Sequence, residues 1–154
     1  PGRPWRILCI GDSLTAKGYP LHLQSLLQER GMNAKVKDAG AGGNAVRSPL
    51  MARSFQTACE AKWDVIIVML GTNNCICGDG YSLEARPFVD DYRIALRRLA
   101  APAHGCKEPR FLLVGVPPRV YATAQFQGSV AYNTEAVNSH LPALGREAAG
   151  GHAR

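Results

Sequence analysis

Ser13 stands in Gly11-Asp12-Ser13-Leu14-Thr15, directly behind the apolar run Ile7-Leu8-Cys9-Ile10. A serine carried to the mouth of a sheet by a buried strand is placed for nucleophilic attack on an acyl carbon. Glycine ahead of it permits a tight turn, and Asp12 is at hand for local hydrogen bonds. Acyl transfer also needs donors aimed at the oxyanion that develops, and a base for the serine proton. Two other positions offer donors. Gly43, in Ala41-Gly42-Gly43-Asn44, has no side chain to keep a substrate away from its N–H. Asn73, in Gly71-Thr72-Asn73-Asn74, has a neutral amide that donates at any pH. With the N–H of Ser13 these make a three-donor set, and loss of one such donor typically costs about 3–4 kcal/mol. Alone, Ser13 reads as an N-cap at a strand-to-helix turn. Gly43 and Asn73 behind neighbouring strands reverse that reading.

The elements that must position these residues alternate. The pattern predicts strands over Arg6–Ile10, Ala34–Asp38, Val65–Leu70 and Phe111–Val116, the third apolar throughout as a covered parallel strand is. Between them lie predicted helices from about Pro20 to Arg30, Pro49 to Ala61 and Pro87 to Leu99. Leu23, Leu26 and Leu27 mark the inner face of the first, which Gly31 ends. Phe88, Tyr92, Ala95, Leu96 and Leu99 mark that of the third, where Asp90 stands three residues before Arg93. Gly71-Thr72-Asn73-Asn74 is expected to open a long loop. A last helix from about Tyr132 to Ala148 presents Val137, Leu141, Leu144 and Ala148, with a kink or break expected at Pro142. Such alternation makes right-handed βαβ units and a parallel sheet covered on both faces. Ligands bind outside the carboxyl ends of such strands, which is where Ser13, Gly43 and Asn73 fall.

These blocks resemble the SGNH (GDSL-type) hydrolase family. Gly11-Asp12-Ser13-Leu14 is similar to its first block, Gly43 in Ala41-Gly42-Gly43-Asn44 to its second, and Gly71-Thr72-Asn73-Asn74 to its Gly-x-Asn-Asp third. Asn74 replaces the usual aspartate, a supporting residue. The resemblance covers about Arg6 to Glu147 and implies a serine ester hydrolase with a flavodoxin-like three-layer α/β/α fold on a parallel sheet. It makes Ser13 the nucleophile and Gly43 and Asn73 its partners in the oxyanion hole. The family's closing block, Asp-x-x-His behind a fifth strand, is not found. The residues three before His22, His104, His140 and His152 are Tyr19, Ala101, Val137 and Ala149, none acidic. Four strands are readable and the fifth is missing. The 154 residues are therefore expected to be one SGNH-like domain, C-terminally incomplete, with impaired activity and strand four left as an edge. The alternative is a non-catalytic carbohydrate- or ligand-binding module of the same fold. Pro117-Pro118-Arg119-Val120-Tyr121 resembles a segment of family members that deacetylate carbohydrates. Substrate choice is expected to rest on the loops Asn74–Arg86 and Pro117–Gly128.

Composition gives no sign of a nucleic-acid or membrane partner, leaving the small-molecule ester that the chemistry of Ser13 and the resemblance imply. The net charge of +6 arises from 18 Lys+Arg against 12 Asp+Glu, and these are dispersed, with Arg93, Arg97 and Arg98 the tightest group. No basic stripe with interleaved aromatics argues for nucleic acid. The longest aliphatic run, Val65–Leu70, is too short for a membrane helix. Of the five cysteines, Cys9 reads as a small core residue, and Cys75-Ile76-Cys77 lacks a second pair for zinc. A disulfide from that pair to Cys106 is open if the protein is secreted, and the compartment stays undecided. Gly40-Ala41-Gly42-Gly43-Asn44-Ala45 fits a dinucleotide fingerprint. It follows the second strand rather than the first, and the third strand ends without an acid for a ribose. No cofactor or metal is expected. The nucleophile elbow G-x-S-x-G fails at Thr15.

Overall fold

The four apolar runs build a single parallel sheet in the computed structural model, which describes residues 2–16, 18–46, 48–76, 86–100, 111–115 and 138–147. Strand β1 (Trp5–Gly11) lies between β2 (Ala34–Gly40) and β3 (Val65–Met69), and β4 (Phe111–Val114) pairs with β3, giving the order β2-β1-β3-β4. Helices α1 (Ser13–Ala16) and α2 (Tyr19–Glu29) separate β1 from β2. Helix α3 (Pro49–Glu60) leads to β3, and α4 (Thr72–Ile76) and α5 (Arg86–Ala100) lie between β3 and β4. Residues 138–147 form a further helix, α6, whose helical run continues across Pro142, so of the kink or break expected there no break occurs. The order is that of a flavodoxin-like α/β/α fold, as expected.

Side chains alternate across a strand, so β1 feeds two cores. Leu8 and Ile10 join Ile66 and Val68 of β3 under Met51 and Ala58 of α3, the Phe88–Leu99 stripe of α5, and Leu141 and Leu144 of α6. On the opposite face Ile7, Cys9 and Ala34 pack against Tyr19, Leu23 and Leu27 of α2. Leu26 departs from the predicted inner face and is 54% exposed, because Leu23 and Leu27, one turn apart, already fill the strip α2 lays on the sheet.

Strand β3 is a second correction. Its continuous apolar run predicts full coverage, yet only Ile66 and Val68 are buried, and Val65, Ile67 and Met69 are half-buried. On that face Ile67 pairs with Leu113 of β4, itself 49% exposed. Among the described residues α2 covers the β1–β2 half of the face and β4 is the outer strand. The third correction concerns Gly71-Thr72-Asn73-Asn74, which opens the short helix α4 rather than a loop.

Ion pairs tie the ends of the chain to this frame. Arg3 forks onto the buried Asp64 at 2.7 and 2.6 Å, and Asp64 also accepts the Arg6 N–H at 2.9 Å. Arg93 on α5 bridges Asp90 and Glu147, the latter at 2.6 Å from α6. Cys9 is buried and free, as a core residue, while Cys59 on α3 is disulfide-bonded, a role its sequence context did not suggest. The proposed pairing of the Cys75–Cys77 segment with Cys106 lies outside the described residues.

Candidate active site

Gly11 is in register with Gly40 of β2 and Met69 of β3, so three strands end level. Ser13 follows the first by two residues, Gly43 the second by three, and Asn73 the third by four. All three sequence-predicted site residues therefore stand on the carboxyl edge of the sheet. Ser13 and Asn73 are half-buried and Gly43 is exposed.

Local hydrogen bonds set the serine turn. Asp12, 1% exposed, accepts the Leu14 N–H on Oδ1 at 2.8 Å, and its carbonyl accepts the Ala16 N–H at 3.0 Å. The chain thus turns into α1 with Ser13 as its first residue. Gly11 is required by a close approach. A Cβ there would lie 1.8 Å from Thr15 Oγ1 and 2.8 Å from the Met69 carbonyl oxygen. Gly43 is required by conformation, since its φ of +77° is strained for other residues while a Cβ would meet open space.

Asn73 is tied to the glycine turn directly. Its Nδ2 donates to the Asn44 carbonyl at 2.8 Å. The neighbouring Asn74 is buried and accepts the Val46 N–H on Oδ1 at 3.4 Å, a bond the neutral amide makes as an aspartate would. The β3 end is thereby stitched to the β2 end by two amides in succession. Asn44, which the sequence presents only as the tail of the glycine turn, is fully buried at the meeting point. A polar residue closing a glycine turn is its sole sequence signal, and that does not distinguish a buried hub from an exposed loop residue.

Beside the serine turn, the α5 face that packs on the sheet is buried. Tyr92 of α5 is buried, and that burial holds its phenol above the ordinary tyrosine range, with the Asp12 charge adding to it. On the opposite face of the sheet burial likewise raises the Tyr19 phenol and the Cys9 thiol. Of the histidines, His22 on α2 and His140 on α6 are exposed, while His104 and His152 lie outside the described residues, as do most of the two predicted specificity loops. Among the described residues no group of three or more His, Cys, Asp or Glu side chains is placed to hold a metal ion. None of their helices is long and apolar enough to cross a membrane.

The GDSL-like lipase/acylhydrolase family model matches residues 9–152 of this chain. No curated protein matches it significantly in sequence. Among solved structures it is similar to Axe2, an acetylxylan esterase from Geobacillus stearothermophilus, with a TM-score of 0.71 and 21% identity over 96% of this chain and 74% of that one. AlinE4, an SGNH-hydrolase family esterase, gives a TM-score of 0.70 and 21% identity over 97% and 75% of the two chains. LAE5, an enzyme from the metagenome of Lake Arreo, Spain, gives 0.68 and 18% over 97% and 76%. At these identities the likeness is one of fold.

Proposed function

Because the chain belongs to the GDSL-like lipase/acylhydrolase family, hydrolases of carboxylic esters, we propose that Ser13 is its nucleophile, with the Ser13 N–H, the Gly43 N–H and Asn73 Nδ2 as the oxyanion hole. The hydroxyl oxygen of Ser13 attacks the ester carbonyl carbon, and its proton passes to a base. The carbonyl electron pair moves onto oxygen and is held by the three donors. Collapse breaks the bond to the alcohol oxygen, which leaves with the proton the base had taken up, and water then attacks the acyl-serine and releases the acid by the same steps. The observation that carries this reading is the bond from Asn73 Nδ2 to the Asn44 carbonyl. A side-chain amide has two hydrogens. One fixes Asn73 against the residue after Gly43, leaving the second to donate to the oxyanion.

Among these 154 residues no base for that proton is recognisable by motif. No histidine of the 154 residues has an acid three positions before it, so the chain as given is proposed to turn over slowly. Its residual acceleration is on the order of 10³–10⁴ over water, from oxyanion stabilisation and binding alone. Small acyl esters of carbohydrates are the proposed substrates. Supporting this are the Pro117–Tyr121 segment, similar to that of carbohydrate deacetylases, and the fold shared with Axe2, an acetylxylan esterase.

A fluorophosphonate probe tests the assignment. Slow covalent labelling that maps to Ser13 and disappears in Ser13→Ala supports it, and absence of labelling at Ser13 favours a binding module. Rapid hydrolysis of p-nitrophenyl acetate by the 154-residue chain would sink the claim of impairment. Hydrolysis of long-chain esters in preference to acetylated xylo-oligosaccharides would reject the carbohydrate substrate.

A further inference from the structure

We infer that Asn44 is the positioning residue of the oxyanion hole: its buried side chain holds both the Gly43 N–H and Asn73 in place relative to Ser13. This inference rests on the reading of Ser13 as nucleophile.

The turn carrying Gly43 is anchored at both flanks to one atom. The Ala41 N–H donates to the Gly11 carbonyl at 3.1 Å, and Asn44 Nδ2 donates to that same oxygen at 3.1 Å. Gly11 is two residues before Ser13. The Asn44 N–H closes the turn onto the Ala41 carbonyl at 3.0 Å. Gly42 and Gly43 therefore hang between two posts that both stand on the nucleophile strand. Asn44 is also the residue whose carbonyl takes the Asn73 amide at 2.8 Å. Displacing it would move two of the three proposed donors together.

The Asn44 side chain is itself held on every side. It is 0% exposed, its Oδ1 accepts the Ser48 hydroxyl at 2.7 Å, and its Nδ2 also reaches Ser54 Oγ at 3.5 Å. Ser48 is the N-cap residue of α3, in extended conformation, yet its hydroxyl makes no bond to its own helix. Here the hydroxyl instead donates to Asn44 and accepts the Ala45 N–H at 3.2 Å. A buried amide with its hydrogens and acceptor engaged has one orientation, which is what a preorganised donor pair requires.

The test follows the fluorophosphonate reaction at Ser13 in full, separating the encounter constant KI from the maximal rate kinact. The oxyanion donors act on the developing charge, so loss of their alignment lowers kinact and leaves KI within about twofold. For Asn44→Ala the expected fall in kinact is about 10–100-fold, the scale of an ångström of misplacement. Circular dichroism and urea unfolding confirm that the measured material is folded. Should Asn44→Ala not fold, Ser48→Ala removes only the hydroxyl and is expected to lower kinact in the same manner by a smaller factor. The inference is overturned if the folded variant keeps the wild-type kinact, or if kinact and KI change only with the folded fraction. Failure of wild-type Ser13 to take the label at all overturns the nucleophile reading, and the role of Asn44 with it. Labelling of wild type with an unaffected Asn44→Ala overturns this inference alone.

Discussion

Replacing Gly11 by alanine is expected to unfold the nucleophile turn rather than to modulate it. The added Cβ would lie 1.8 Å from Thr15 Oγ1, 2.7 Å from Thr15 Cβ and 2.8 Å from the Met69 carbonyl oxygen. Neither neighbour can give way cheaply. Thr15 is fully buried, and Met69 is the β3 residue in register with Gly11, so its carbonyl belongs to the sheet. Relief must come from lifting α1 off the strand ends, which carries Ser13 with it. Overpacking of a well-packed site costs about 1–3 kcal/mol, and two immobile neighbours put this one near the upper end. At a urea m-value of about 2 kcal/mol/M, a loss of about 3 kcal/mol lowers the unfolding midpoint by about 1.5 M. Urea titration followed by tryptophan fluorescence reads it, since Trp63 is 6% exposed in the native fold. Thr15→Ala removes the nearest clashing atom, so Gly11→Ala should cost at least about 1 kcal/mol less in that background. A change below about 0.5 kcal/mol for the single variant, the range of ordinary surface substitutions, would refute the packing argument. So would the absence of coupling to Thr15.

Gly43→Ala should behave in the opposite way. Its φ of +77° strains alanine by about 1–2 kcal/mol while the Cβ meets nothing, so the variant folds but labels Ser13 more slowly. A variant that labels at the wild-type rate refutes the role of its N–H. The carboxyl of Glu147 is held below its ordinary value of 4.5, chiefly by the hydrogen bond from Arg93. A depressed carboxyl stabilises the fold above its unfolded pKa and loses that contribution as the pH falls through the folded one. The melting-temperature gap between wild type and Glu147→Gln should therefore close as the pH drops below 4.5, and a gap independent of pH contradicts the pairing. Cys9 is buried with its thiol raised chiefly by desolvation, so alkylation mapped by mass spectrometry should find it only after unfolding. Prompt modification of Cys9 in the native protein would show that the β1–α2 face opens.

How far the fold was legible depends on how many partners each signal needs. The α5 stripe Phe88, Tyr92, Ala95, Leu96 and Leu99 is buried as its periodicity predicts, because one helix face against one sheet is a local pattern. Leu26 and β3 depart from their sequence patterns because coverage is not local. Whether Ile67 is buried depends on what lies over β3, which its own apolar run does not state. The helical turn at Thr72–Ile76 leaves no signal in the sequence because five residues are too few to show a period.

The chain's own letters determined which side chains are available for chemistry: a serine behind one strand, a glycine behind the next and an amide behind the third. Those are properties of residue type and of position relative to apolar runs, and a parallel sheet brings consecutive strand ends to one edge whatever the details. Tertiary structure alone decided how they are held. The level register of Gly11, Gly40 and Met69, the single carbonyl supporting both flanks of the Gly43 turn, and the burial of Asn44 join residues 33 and 29 positions apart. No local pattern encodes such contacts, because each hydrogen bond exists only once separate strands have been brought side by side.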